Sequence, residues 1–148
     1  MVRISEVHEA TDDVVDALNR LLPQLSSSAA PMTTTDVEAI VTSDASHLLF
    51  ARDDTGVTVG SMTLVVFRIP TGVRSWIEDV VVDEAARGTG AGEALNRAAI
   101  DLAYSLGART VDLTSRPSRV AANRLYKKLG FVERDTNIYR HVPPGTSR

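Results

Sequence analysis

Residues 80–92 have the types and spacing of an anion-binding turn. A β-branched run, Val80, Val81 and Val82, leads through a polar turn into glycines at positions 88, 90 and 92, and a helical pattern begins at Glu93. Alternate glycines allow the backbone to approach a ligand closely and to direct several N–H groups at it. The helix that follows adds the positive end of its dipole. The pattern therefore predicts a site for a phosphate or pyrophosphate.

The glycine spacing excludes two common nucleotide-binding motifs. A dinucleotide fingerprint requires glycine at the sixth position counted from Gly88, where this chain has Glu93. A Walker loop requires Lys and then Ser or Thr after its last glycine, whereas Gly92 is followed by Glu93 and Ala94. The segment Arg87-Gly88-Thr89-Gly90-Ala91-Gly92 instead fits Arg/Gln-x-x-Gly-x-Gly/Ala. It resembles the acyl-coenzyme A pyrophosphate loop of the GNAT family of N-acetyltransferases.

A second motif lies downstream of the glycines. The segment Asn123-Arg124-Leu125-Tyr126-Lys127-Lys128-Leu129-Gly130-Phe131 is similar to the second GNAT signature, Asn-x-x-Tyr-x-x-x-Gly-Phe. The resemblance implies an α/β (α+β) GNAT fold, with a mixed, mostly antiparallel sheet of six to seven strands and about four helices. It also implies that the sheet is splayed between the fourth and fifth strands.

The resemblance also implies a cosubstrate and the residues that bind it. Acetyl-CoA is the implied cosubstrate, and no metal is implied. Its pyrophosphate would bind the loop, its pantetheine arm would pair with the backbone of the fourth strand, and Asn123 would bond to that arm. The implied cofactor-binding residues are Val80, Val81, Val82, Arg87, Gly88, Thr89, Gly90, Ala91, Gly92, Asn123 and Tyr126.

The proposed chemistry needs an acid and a base. A thiolate of pKa ~8.5 leaves more readily when it is protonated, and Tyr126 matches the general-acid tyrosine of the family. An amine of pKa ~10 must lose a proton before it attacks, and Glu78 is the candidate base, directly or through water. Alternatively, Glu78 is an acid at a strand end that pairs with Arg74 or Arg109.

Strand alternation separates the two acids of the fourth strand. It predicts Glu78, Val80 and Val82 on one face, and Asp79 and Val81 on the other. The run of residues 77–82 resembles the corresponding strand of glucosamine-phosphate N-acetyltransferases, in which a Glu-Asp pair borders the reaction centre. One of the two acids is therefore expected to face the acceptor.

Charged and metal-binding residue types give a weaker signal. The strongest basic cluster could contact the ribose phosphate of coenzyme A or could form a solvated helix face; its members are Arg116, Arg119, Arg124, Lys127 and Lys128. The three histidines are far apart in sequence and lack metal-ligand spacing.

Composition narrows the class of protein. A chain of 148 residues is expected to form one domain, residues 1–148. The absence of cysteine excludes disulfides, thiolate metal sites and an acyl-cysteine intermediate. No apolar run approaches the ~20 residues of a membrane span, and the first residues lack a signal core, so a cytoplasmic protein without membrane contact is expected. A formal net charge of -3 argues against nucleic acid as the main partner.

Hydrophobic periodicity gives the elements that position these residues. Strands are predicted at residues 2–7, 47–52, 57–68, 75–82, 110–114, 131–134 and 137–141. Helices are predicted from Thr11 or Asp12 to Pro23, from a capping box at Thr35 and Glu38 to Val41, over residues 90–106, and from a Ser118 cap to Gly130. Residues 24–32 either border the acceptor site or form a surface connection, and residues 142–148 form a tail.

Two functions from different classes remain open at this point. One is an acetyl-CoA-dependent N-acetyltransferase in which the amine of a small molecule or a protein attacks the thioester directly. The other is a non-catalytic acyl-CoA sensor, which would keep residues 87–92 but has no need of Glu78 or Tyr126. A glucosamine-phosphate acceptor is the nearest specific alternative within the enzyme class. Homodimers occur in the family, so a homodimer is also implied as an option.

Overall fold

The computed structural model describes residues 1–146, which form two compact units that meet in sequence between Ser115 and Arg116. Residues 147 and 148, the last two of the predicted tail, lie outside the described residues. In the first unit the strands are β1 (Arg3–Glu6), β2 (Ser46–Arg52), β3 (Thr58–Ile69), β4 (Gly72–Val82) and β5 (Val111–Asp112). The helices are α1 (Asp12–Leu25), α2 (Thr34–Val41), a short 3-10 turn (Glu84–Ala86) and α3 (Ala91–Ser105), and the second unit contains α4 (Val120–Lys128).

The five strands of the described chain follow one another in the sheet in sequence order, β1-β2-β3-β4-β5. The first three pairings are antiparallel, and only β4 and β5 are parallel, which is the mixed sheet expected with α3 as the crossover. The prediction of six to seven strands is wrong. Residues 131–134 and 137–141 form no strand, and Val132, Ile138 and Tyr139 are exposed. Their alternation fits a strand, but a strand also needs a neighbour with which to pair.

The strand register defines two faces of the sheet. On one face Leu48 and Phe50 join a core cluster with residues of α1 and α2, including Val14, Leu18 and Val37. On the other face Gly60 lies under α3, since a Cβ at this position would stand 3.1 Å from Leu95 Cδ1. The sheet thus separates α1 and α2 from α3, and each helix buries an apolar stripe.

Two helix ends differ from their sequence predictions. Helix α1 continues through Pro23 to Leu25, because a proline in the last turn removes only one helical hydrogen bond and Ser26 N still donates to Leu22 O at 2.9 Å. Helix α2 begins two residues earlier than predicted, at Thr34. Its capping box joins Thr33 and Asp36 rather than Thr35 and Glu38.

The second unit consists of α4 and the segment that follows it. Arg119, not Ser118, is the N-cap of α4, and it makes no side-chain cap. The helix ends at Lys128, with Leu129 as its C-cap. Gly130 follows with a φ of 94°, and Phe131 N donates to Tyr126 O at 3.0 Å. This agrees with the predicted end of the helix at Gly130, because glycine adopts the left-handed φ of a helix C-terminus without strain.

Candidate active site

The glycine loop, residues 87–92, connects β4 and the 3-10 turn to α3. Gly88 and Gly90 have φ values of 81° and 86°, in the left-handed region that glycine adopts without strain. A Cβ at either position would meet no other atom within 4 Å. The glycines are therefore required by backbone conformation, and open space lies beside them where a ligand could approach.

The start of α3 presents backbone donors that the protein itself does not use. Gly90 is the N-cap of α3, and it provides no side chain to bind the first N–H groups of the helix. Within residues 1–146, the N–H groups of Gly88, Gly90, Ala91 and Gly92 have no acceptor. Unused donors at a helix N-terminus favour an anion, because the helix dipole adds to the individual N–H dipoles.

Neighbouring contacts hold the loop in this shape. Thr89 Oγ1 donates to Ala86 O at 2.6 Å, which closes the turn before the glycines. Asn96, 1% exposed, donates through Nδ2 to Gly92 O at 2.8 Å and so fixes the first turn of α3. The N–H groups thus project from a supported turn rather than from a free loop.

The C-terminal half of β4 has an open side. The parallel pairing with β5 covers only Ser75 and Trp76, and from Ile77 onward no strand of the described chain flanks β4 on that side. The predicted separation of the fourth and fifth strands thus has a counterpart in this short pairing. Asp83 N donates to Val59 O of β3, so the backbone groups of Val82 and Val80 are the ones available on the open side to a peptide-like ligand.

A β-bulge changes the side-chain alternation that the sequence predicted for β4. Ser61 pairs with Val81, but Thr63 pairs with Glu78, so two residues of β4 face one residue of β3. Asp79 has a φ of 51° there, which Asp tolerates better than most residues. The prediction that Glu78 shares a face with Val80 and Val82 is therefore wrong.

The register instead places Glu78 and Val81 on the face that carries α1 and α2. Val82 and Ile77 lie on the face of α3. Both acids at the bulge, Glu78 and Asp79, are exposed. Within the described residues neither acid forms an ion pair or a side-chain hydrogen bond, and the predicted alternative pairing of Glu78 with Arg74 or Arg109 is not formed.

Two further candidate residues, Asn123 and Tyr126, belong to the second unit. Tyr126 is 7% exposed, and its ring packs edge-on against Phe131, with ring centroids 5.8 Å apart. Its hydroxyl has no hydrogen-bond partner within residues 1–146, yet it is not among the fully buried polar atoms. The hydroxyl is therefore not fully enclosed, although the residue as a whole is buried. Asn123 Nδ2 donates to Arg116 O at 2.9 Å.

Each acidic side chain next to the glycine loop has an arginine partner. Arg87 lies 4.0 Å from Glu84, and both side chains are mostly exposed, so this contact leaves Arg87 able to reach a ligand. Arg97 contacts Glu93 at 2.9 Å, four residues earlier on α3. Arg20 of α1 contacts Asp83. Sequence reasoning missed Arg20, because no motif marks it and only the packing of α1 against β3 and β4 brings it there.

The segment that precedes α2 is held by α1. Asn19 accepts from Met32 N at 2.7 Å and donates to Met32 O at 3.0 Å. A small cavity of about 70 Å³ lies beside this contact, with Leu22, Pro23 and Pro31 in its lining.

The described residues contain no group of three or more acidic or histidine side chains that could hold a metal. None of their helices has the length and apolar character of a membrane span.

Comparison with known proteins gives a family, a relative and two similar structures. The model of the acetyltransferase (GNAT) family matches residues 12–131. A mycothiol acetyltransferase of Renibacterium salmoninarum is 32% identical over 106 residues, which are 70% of this chain and 31% of that protein. The chain thus spans less than a third of the length of this relative.

Two solved structures cover nearly the whole chain. A Trypanosoma brucei acetyltransferase superposes with a TM-score of 0.79 at 25% identity, over 96% of this chain and 100% of that one. Glucosamine-6-phosphate N-acetyltransferase of Arabidopsis thaliana superposes with a TM-score of 0.80 at 21% identity, over 97% and 99%. Because the identity to the Arabidopsis thaliana enzyme is only 21%, that similarity shows a shared fold and no more.

Proposed function

Because the chain belongs to the GNAT family of acetyltransferases, we propose that it transfers an acetyl group from acetyl-CoA directly to the amine of an acceptor. The observation that carries the proposal is the set of unused N–H donors at Gly88, Gly90, Ala91 and Gly92. They stand at the N-terminus of α3, where the family binds the pyrophosphate of its cosubstrate.

The residues present fit this ligand. The two left-handed glycines leave room for phosphate oxygens, and Arg87 is 65% exposed and can add a charge-assisted contact. The open side of β4 offers the backbone of Val80 and Val82 to the amide groups of the pantetheine arm, with Val81 between them. Thr89 supports the turn, and Asn123 is assigned to the arm by the family motif.

The proposed reaction needs no covalent intermediate on the protein. The neutral amine attacks the thioester carbonyl, and collapse of the tetrahedral intermediate breaks the C–S bond and forms the amide. Tyr126 would give its hydroxyl proton to the departing thiolate, for which a hydroxyl without a protein hydrogen-bond partner in the described chain is suitable. Before the attack, the ammonium form of the acceptor would lose one proton to Glu78, directly or through water. The second proton that the nitrogen loses as the amide forms would restore the Tyr126 hydroxyl.

Two features support Glu78 as the base: its position in β4 and the absence of an ion-pair partner in the described chain. It lies at the bulge of β4, exposed, with no ion pair in the described chain, and on the face that carries α1 and α2. Exposed Asp79 adds a second carboxylate beside it. Two free acids favour an acceptor that arrives as a cation, such as the ammonium form of a small-molecule or protein amine.

Calorimetry and a turnover screen test the proposal together. The protein is expected to bind acetyl-CoA at micromolar to millimolar concentration and to release thiol with at least one amine of a panel that includes glucosamine-phosphate and a lysine peptide. Absence of binding would refute the proposed function. Binding without turnover over the whole panel would instead support a non-catalytic acyl-CoA sensor.

A further inference from the structure

We propose that Arg20 is a positioning residue for the coenzyme A loop: it holds Asp83 so that residues 87–92 are in the binding conformation before the ligand arrives. This inference rests on the proposed function. It concerns a side chain of α1, outside both family motifs. Its basis is a set of contacts between the last two turns of α1 and the segment where β4 becomes the loop.

The Arg20 guanidinium connects two backbone segments. Nη1 donates to Asp83 Oδ2, and Nη2 donates to the carbonyl oxygen of Thr58, at the start of β3. Because the guanidinium is planar and its donors have fixed directions, two simultaneous bonds define the position of both acceptors. The Asp83 side chain is 20% exposed and that of Arg20 is 42% exposed, so solvent screens this pair in part and its geometry matters more than its charge.

Asp83 transmits this position to the loop. Its Oδ1 accepts from Ala85 N at 3.1 Å, which begins the 3-10 turn, and its own N–H donates to Val59 O at 2.8 Å. One turn further along α1, Gln24 Oε1 accepts from Glu84 N at 3.0 Å. The same helix therefore holds two consecutive residues immediately before the turn that leads into the glycines.

Charge gives Arg20 a second effect on anion binding. Asp83 stands four residues before Arg87, so an uncompensated carboxylate there would repel a pyrophosphate on the loop. In the described structure Arg20 neutralises this carboxylate. Loss of Arg20 would thus both release the turn and leave a negative charge beside the anion site.

The test compares coenzyme A affinity among matched variants by calorimetry. Arg20→Met is expected to raise the Kd for coenzyme A about tenfold. The turn before the loop would lose its charge-assisted contact between Arg20 and Asp83, and the Asp83 carboxylate would be left uncompensated. Arg20→Lys keeps the positive charge but cannot bond to Asp83 and Thr58 with a planar guanidinium, so it is expected to recover only part of this affinity. In the double variant with Asp83→Asn the loss should shrink to about threefold, since no carboxylate is left unpaired.

Arg52→Met is the control, because Arg52 is a partly buried arginine of the same unit that bonds to Ser5 Oγ at 2.8 Å and does not contact the loop. Urea denaturation of all variants separates stability from affinity. With an amine substrate in hand, Arg20→Met should raise KM for acetyl-CoA and leave kcat within about twofold.

The possible failures are distinguishable. If the wild-type protein binds no coenzyme A, the proposed function fails. If the wild type binds and the Arg20→Met and Arg52→Met variants bind equally well, the role of Arg20 is refuted and the function stands. A tenfold loss that Lys does not reduce and that Asp83→Asn does not alter would also overturn the inference. If Arg20→Met does not fold, the Lys variant and Asp83→Asn carry the same comparison.

Discussion

Substitution of Gly90 by Ala isolates the contribution of the glycine loop. Gly90 has a φ of 86°, and so does Gly56 in the turn between β2 and β3. At both positions an added Cβ would meet nothing within 4 Å. The two substitutions therefore impose the same backbone strain and no clash, but only one of them lies in the proposed site.

The expected magnitudes follow from this match. An L-residue in the left-handed region costs roughly 1–2 kcal/mol, so Gly90→Ala and Gly56→Ala should lower the free energy of unfolding by similar amounts. In coenzyme A binding, each lost hydrogen bond to a charged group costs about 1.5–3 kcal/mol, or about tenfold to 100-fold in Kd. Gly90→Ala should lose this affinity because the added methyl group occupies the open space and the donors turn away. Gly56→Ala should keep the affinity of the wild type.

Urea denaturation and calorimetry with coenzyme A measure the two quantities separately. A third variant, Gly90→Asn, tolerates the left-handed region better than Ala, so it should recover stability but not affinity. Equal Kd values for the variants at positions 90 and 56 would refute the anion-binding role of the loop. A large difference in their stabilities would refute the assignment of the cost to backbone strain.

Three further outcomes are expected. Tyr126→Phe should lower kcat by about 100-fold, the lower end of general-acid contributions, with little change in coenzyme A affinity; an unchanged thiol-release rate would remove Tyr126 from the acid role. Glu78→Gln should lower kcat and shift its pH profile, whereas Asp79→Asn should act mainly on the KM of the amine; the reverse pattern would exchange the two roles.

The third outcome concerns acid. The pKa of Asp36 is lowered mainly by the hydrogen bond from the backbone N–H of Thr33 and, to a smaller extent, by the Thr33 side chain. The stability that Asp36 contributes is therefore complete above its ordinary pKa and is lost as the pH falls through its lowered pKa. The urea midpoint should therefore fall less for Asp36→Asn than for wild type between about pH 6 and about pH 3, and identical pH dependence would contradict the capping role.

The parts of the fold that sequence could predict were those fixed by local pattern. Glycines before an amphipathic stripe located α3 to within a residue at each end, since Gly90 and Leu106 are its caps. The first five strands could likewise be located from apolar alternation and turns, but not all of their ends: β4 begins at Gly72 rather than residue 75, and β5 is only Val111–Asp112 of the predicted residues 110–114. Residues 131–134 have the same kind of alternation but form no strand, because pairing depends on a partner that a local pattern does not specify.

The site was predictable to a similar extent. The positions of Gly88 and Gly90 in the anion loop follow from residue type, because their φ values need glycine. The face of Glu78 did not follow, since the bulge at Asp79 inserts a residue that no glycine marks. Arg20 was also beyond the sequence pattern, because its contact with Asp83 spans 63 positions and arises only from packing of α1 on the sheet.

The short pairing of β4 with β5 has a consequence for the exchange of backbone amide protons with solvent. In the C-terminal half of β4, amides that point to β3 are bonded within the sheet, while those on the other side of Val80–Val82 have no strand partner in the described chain. Deuterium should therefore exchange rapidly at alternate residues of β4, and the alternation should shift by one residue at the bulge beside Asp79. A peptide-like ligand that pairs with the open side would slow exchange only at the rapidly exchanging amides.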